Sequence, residues 1–169
     1  MATDTALVTA LIVAATIRLE KMTNRLFVER TITGKFDSVC SSIYEPLPYI
    51  EIKRSPLISV SSVTANGVAL VEGTDYYIKN KSSFSRILIE SSIDTNFNAS
   101  LNMPYPIEVS FVAGYGAAAN VPEDIKTAIQ QLVLFWYENR GDVSTDAEQE
   151  MPFETKMIMK GYRIVNAYG

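Results

Sequence analysis

Histidine is absent from this chain of 169 residues, and cysteine occurs once, at Cys40. The first absence removes the commonest general base, the usual partner of a nucleophilic serine and the commonest metal ligand. The second excludes an intrachain disulfide and any cysteine-rich metal centre. Positive charge is not in excess either: 15 Lys and Arg against 19 Asp and Glu leave a net charge of −4. A protein whose main task is gripping nucleic-acid phosphates has the opposite balance. Long hydrophobic runs are also missing. The nearest approach, residues 6–17 (ALVTALIVAATI), falls short of the about 20 apolar residues that cross a bilayer. No basic segment precedes it, and Asp4 stands where a signal peptide carries positive charge. A product of the cytoplasm with no membrane segment is therefore expected. Leu7, Val8, Leu11, Ile12, Ala15, Leu19 and Met22 suit a strongly buried helix of a core or an interface, capped near Thr3 or Asp4.

What is present is apolar content, 47% of residues, enough for a core in one domain or a compact pair of subdomains. Residues 106–141 are the most structured stretch. Ile107, Val109, Phe111 and Ala113 alternate with Glu108, Ser110 and Val112, the period of a half-buried strand. Gly114 and Gly116 supply the permissive backbone for a sharp exit. Pro122 suits the first helical position, and Glu123 and Asp124 suit the positive helix start. Ile125, Ala128, Ile129, Leu132, Val133 and Trp136 then fall on one helical face, making Trp136 a core residue. Asn139, Arg140 and Gly141 are expected to close the helix with a basic last turn and a glycine cap.

Between the two helices the pattern is β. Residues 26–39 read as extended, with a bend at Gly34; residues 49–53, 76–79 and 86–90 read as strands. Asn66 and Gly67 between Val63 and Val68 signal a tight hairpin. Residues 80–85 are turn material and residues 91–105 an exposed loop. The polar, acidic stretch 141–150 reads as a mobile loop. A short helix over 153–160 follows, ended by Gly161, and residues 162–169 leave as an extended arm. The sum is an α+β chain: a small helical bundle (an N-terminal helix, a long helix over 122–140, a short C-terminal helix) with a β-rich antiparallel insert. Residues 1–25 and 120–169 form the helical part and residues 26–119 the insert, within one structural unit.

No catalytic, cofactor-binding or metal-binding residue can be named. The run from Gly114 to Ala119 formally fits a G-x-G-x-x-A phosphate turn, but Pro122 delays the helix by several residues and too little chain follows for a doubly wound sheet. Asp146, Glu148 and Glu150 sit in a polar loop without the ligands of a metal shell, and Ser41 and Ser42 lack the setting of a nucleophile. Trp136 and Tyr137 are neighbours on one helix and cannot share a face, so Tyr137 and Leu134 are directed at another surface, a candidate subunit interface.

The pattern AGYG…VPEDIK.AI..LV..WYENR, together with RSPLISVSSV…NGVAL…TDYYI over 54–78 and KGYRI at 160–164, resembles the head–tail connector (adaptor) family of tailed bacteriophages. The likeness spans most of the chain. That family often carries an extra segment before its first long helix, which here begins almost at Met1. The resemblance implies a virion structural protein at the neck, made in the bacterial host cytoplasm. It implies a cyclic homo-oligomer, expected to be a dodecamer, under the portal protein. It further implies a stopper or tail-completion protein on the far side, and double-stranded DNA passing through without sequence-specific binding. Because related connectors engage the portal through their C-terminal region, Phe153, Met157, Ile158, Tyr162, Arg163 and Tyr168 form a candidate portal-docking arm. Another neck or tail-completion protein, or a small nucleotide-binding enzyme, are the alternative classes.

Overall fold

The computed structural model describes residues 2–80, 84–96, 104–139 and 151–164. The chain is α+β and divides into two compact units, Met1–Phe27 with Ala117–Gly169, and Val28–Gly116.

Among the described residues the first unit is helical: α1 (Ala2–Thr23), a 3-10 turn (Ala118–Asn120), α2 (Glu123–Glu138) and α3 (Phe153–Tyr162). Helix α1 starts at Ala2, ahead of the expected cap, with Asp4 inside its first turn. It is also less buried than its sequence suggests. Ala15 and Leu19 are fully buried, whereas Ile12, Val13, Ile17 and Met22 are exposed. Helix α2 begins one residue later than expected. Pro122 is its cap rather than its first residue: extended at φ −51° and ψ 140°, its carbonyl accepts from the amides of Ile125 (3.0 Å) and Lys126 (3.2 Å). Pro152 plays the same part for α3, accepting from Lys156 N at 3.1 Å.

The α2 exit differs too. Asn139 caps the helix, its side-chain amide donating to Phe135 O at 2.8 Å, and the last turn holds no basic residue; Arg140 and Gly141 lie outside the described residues. Helix α3 runs through Gly161 to Tyr162 rather than ending before it, because a solvent-facing glycine costs a helix only about 1 kcal/mol. Its buried face is Thr155 and Met159, with Met151 just ahead of it.

The end of α1 is closed by the tail of the same unit. Asn24 takes the left-handed conformation that stops a helix (φ 56°). Buried Glu20 accepts from Phe27 N at 2.7 Å, Thr23 O accepts from Ile164 N at 3.0 Å, and Arg25 Nε donates to Tyr162 O at 2.7 Å. The KGYRI stretch thus supplies a donor to Thr23 O, one of the open carbonyls at the end of α1.

Among the described residues the second unit holds seven strands: β1 (Arg30–Phe36), β2 (Tyr49–Ile52), β3 (Leu57–Ala65), β4 (Val68–Ala69), β5 (Tyr76–Asn80), β6 (Ser85–Ile89) and β7 (Ile107–Ala113). They form two antiparallel sheets, ordered β1-β7-β3-β4 and β2-β6-β5. Strand β7 is central in its sheet and buries Ile107, Val109, Phe111 and Ala113, as its alternation predicts. Asn66 (φ 49°) and Gly67 (φ 80°) both take positive φ in the β3–β4 hairpin, the geometry that Asn-Gly favours. Gly34 does not bend β1, which pairs with β7 throughout; a Cβ there would lie 2.9 Å from the Phe36 ring, so the glycine makes room for that ring. Gly114 is needed for backbone reasons: φ is +131°, and a Cβ would lie 2.8 Å from Glu29 Cα.

Candidate functional site

Expectations of chemistry meet a plain geometry. The glycines at 114 and 116 leave an antiparallel strand, a 3-10 turn follows, and α2 opens only at Glu123. The glycine turn thus does not open directly into a helix, as the dinucleotide fingerprint requires. Among the described residues no cluster of His, Cys, Asp and Glu can hold a metal ion, and no helix is long and apolar enough to cross a membrane.

One ionic cluster lies within the β unit. The side chain of Glu45 is only 4% exposed; it receives Arg86 Nη1 at 2.6 Å and Lys79 Nζ at 2.8 Å. Lys79 foremost, then Arg86, holds the Glu45 carboxyl below its usual range. The Arg86 guanidinium stacks on Tyr49 and Phe84, 4.4 and 4.7 Å from their ring centroids. This clamp anchors the loop whose tip exposes Ile43 (92%) and Tyr44. Nothing in the sequence pattern singled it out, since its three charges are far apart in the chain.

Apolar grooves belong to the helical unit. Val8 and Ile12 of α1 and Ile129, Val133, Leu134 and Tyr137 of α2 line a groove of about 550 Å³. Its lining is completed by Gln130 and by Lys126, whose ammonium bonds Glu123 at 2.7 Å and Ala119 O at 3.1 Å. Leu134 (56% exposed) and Tyr137, singled out from the sequence, share this groove. Its α1 wall was not foreseen, because residues spaced for burial read alike whether the covering surface is internal or a partner. Trp136 is half-buried rather than core: α2 buries Ile125, Ala128 and Leu132, and Trp136 takes the Arg18 guanidinium 6.0 Å from its ring centroid.

The tail residues divide. Phe153 (75% exposed) and Met157 stand on the outer face of α3, and Arg163 is exposed beyond it. Ile158 and Tyr162 are half-buried, the Tyr162 hydroxyl lying 3.4 Å from Asp124 Oδ2. Tyr168, Asp146, Glu148 and Glu150 lie outside the described residues. Phe153 and Leu134 meet in a second, shallow groove with Phe135 and Pro152. Helix α3 is pinned to α2 by Thr155 Oγ1 donating to Gln131 Oε1 (3.0 Å) and Gln131 Nε2 donating to Glu154 Oε2 (3.2 Å).

No family model matches the sequence, and no curated protein matches it. Solved structures do share the fold. A chain from the neck of an empty gene transfer agent (GTA) particle, computed with C6 symmetry, superposes with a TM-score of 0.73 at 19% identity, covering 96% of this chain and 79% of that one. A chain from the neck of the native particle, computed with C12 symmetry, gives 0.72 at 17% identity, covering 96% and 84%. A chain from the virion of the native particle gives 0.71 at 17% identity, covering 97% and 80%. The α+β architecture, helical part and β insert together, is thus one found in the necks of such particles.

Proposed function

We propose that this chain is a structural, non-catalytic protein of a tailed-particle neck: a head-to-tail connector that forms a ring under the portal, extends the DNA channel and carries a stopper or tail-completion protein on its far side. The observation that carries this reading is likeness of fold over nearly the whole chain to neck chains from particles computed with C6 and C12 symmetry. The composition agrees with it. A net charge of −4 weakly repels duplex phosphates, which suits a channel wall past which DNA slides without salt-linked pairing. Exposed Phe153 and Met157 on α3, with Arg163 beyond, supply apolar and charged contacts for portal docking. The competing position is another neck or tail-completion component of the same build; portal binding separates the two. The test is electron microscopy of the purified protein mixed with the portal of its own particle. A ring seated coaxially on the portal is expected. A twofold dimer that ignores the portal overturns the connector assignment.

A further inference from the structure

Helix α1 has a second uncovered face besides the groove wall. At about 100° per residue, Ala6, Ala10, Val13, Ala14 and Ile17 lie on the side of α1 opposite Val8 and Ile12, and all five are exposed. Residues 5–17 hold no charged side chain. The hydroxyls of Thr9 and Thr16 donate to their own helix carbonyls, Thr5 O and Ile12 O, each at 2.8 Å, so the face asks for no polar partner. The groove on the other side is equally short of charge, its one cation already engaged by Glu123.

We infer that the groove between α1 and α2 is filled by the outer α1 face of a second copy, each subunit receiving one neighbour and entering the next. This rests on the ring reading above and says which surfaces build the ring. The electrostatics select the occupant: an acidic protein or nucleic acid finds no free cation in the groove, whereas an uncharged helix leaves nothing unpaired. The alanines of the outer face let a helix approach closely, with Val13 and Ile17 as the knobs. Two different faces on opposite sides of one helix make a heterologous contact, which propagates in one direction and closes when the rotation per subunit closes. A twofold dimer uses self-complementary patches and leaves one of these faces bare.

Cross-linking of the full chain in a Cys40→Ser background tests this. Val13→Cys and Leu134→Cys both replace exposed residues, and circular dichroism confirms folding before oxidation. A chain carrying both is expected to give a ladder of disulfide-linked multimers. An equal mixture of the single variants is expected to stop at a dimer that mass spectrometry shows to contain one of each. Rings on the portal without the ladder overturn this interface and leave the connector reading standing. Symmetric dimers linked through Val13→Cys alone overturn both.

Discussion

At the scale of single residues, exposure decides what each prominent side chain does. Trp136 is half-buried beside Arg18, whereas Leu132 is fully buried. Trp136→Ala is therefore expected to cost about 1–2 kcal/mol, less than the about 3–5 kcal/mol of a fully buried tryptophan, while Leu132→Ala costs about 2–5 kcal/mol. Chemical denaturation of the two variants checks the order; a larger loss at Trp136 puts that ring in the core. Glu45 supplies a pH dependence. Its folded carboxyl titrates below its ordinary value of 4.5 because it accepts from Lys79 and Arg86. A depressed carboxyl contributes stability above the unfolded value and loses it as pH falls through the folded one. The wild type is expected to lose more melting temperature than Glu45→Gln on acidification below pH 4.5. Equal losses rule out Glu45 as the source.

At the scale of elements, two junctions carry strict demands. Gly114 ends β7 with φ +131° and with the backbone of Val28 and Glu29 against its missing Cβ. Gly114→Ala is expected to destabilise by at least about 1–3 kcal/mol, since neither the conformation nor the backbone contact relaxes cheaply; an unchanged melting curve refutes the strain. Helix α3 has an inner and an outer face with separate duties. Met159 is 1% exposed, so Met159→Ala is expected to cost about 2–5 kcal/mol. Phe153→Ser on the outer face is expected to leave melting unchanged and to weaken portal binding. Removing α3 altogether takes the buried side chains of Met151, Thr155 and Met159 out of the core and uncaps α1, so truncation after Gln149 is expected to lower the melting temperature as well as abolish docking. Normal docking by Phe153→Ser moves the portal contact elsewhere, the first helix and the β insert being next in line.

At the scale of the whole molecule, assembly through uncharged surfaces has a signature in salt. Surface ion pairs weaken as the Debye length shrinks from about 10 Å at 0.1 M to about 3 Å at 1 M, and apolar burial does not. Association of this chain, followed by sedimentation, is expected to hold or strengthen across that range. A steep fall assigns the contacts to charged groups instead.

Much of this was legible in the residues. Alternation along 107–113 marked β7, Asn66-Gly67 marked the β3–β4 hairpin, and the spacing of Ile125, Ala128 and Leu132 marked α2, because each of these signals is a local consequence of backbone geometry. The α+β class and the resemblance to neck proteins followed from the same local patterns. The tertiary structure alone decided what lies against what. It placed Trp136 at the edge of the core, set the KGYRI stretch on the end of α1, gathered Glu45, Lys79 and Arg86, and left one face of α1 bare. Hydrophobic periodicity records which side chains avoid water and not which surface covers them. An α1 rich in apolar residues thus reads the same whether its cover is its own bundle or a neighbouring copy.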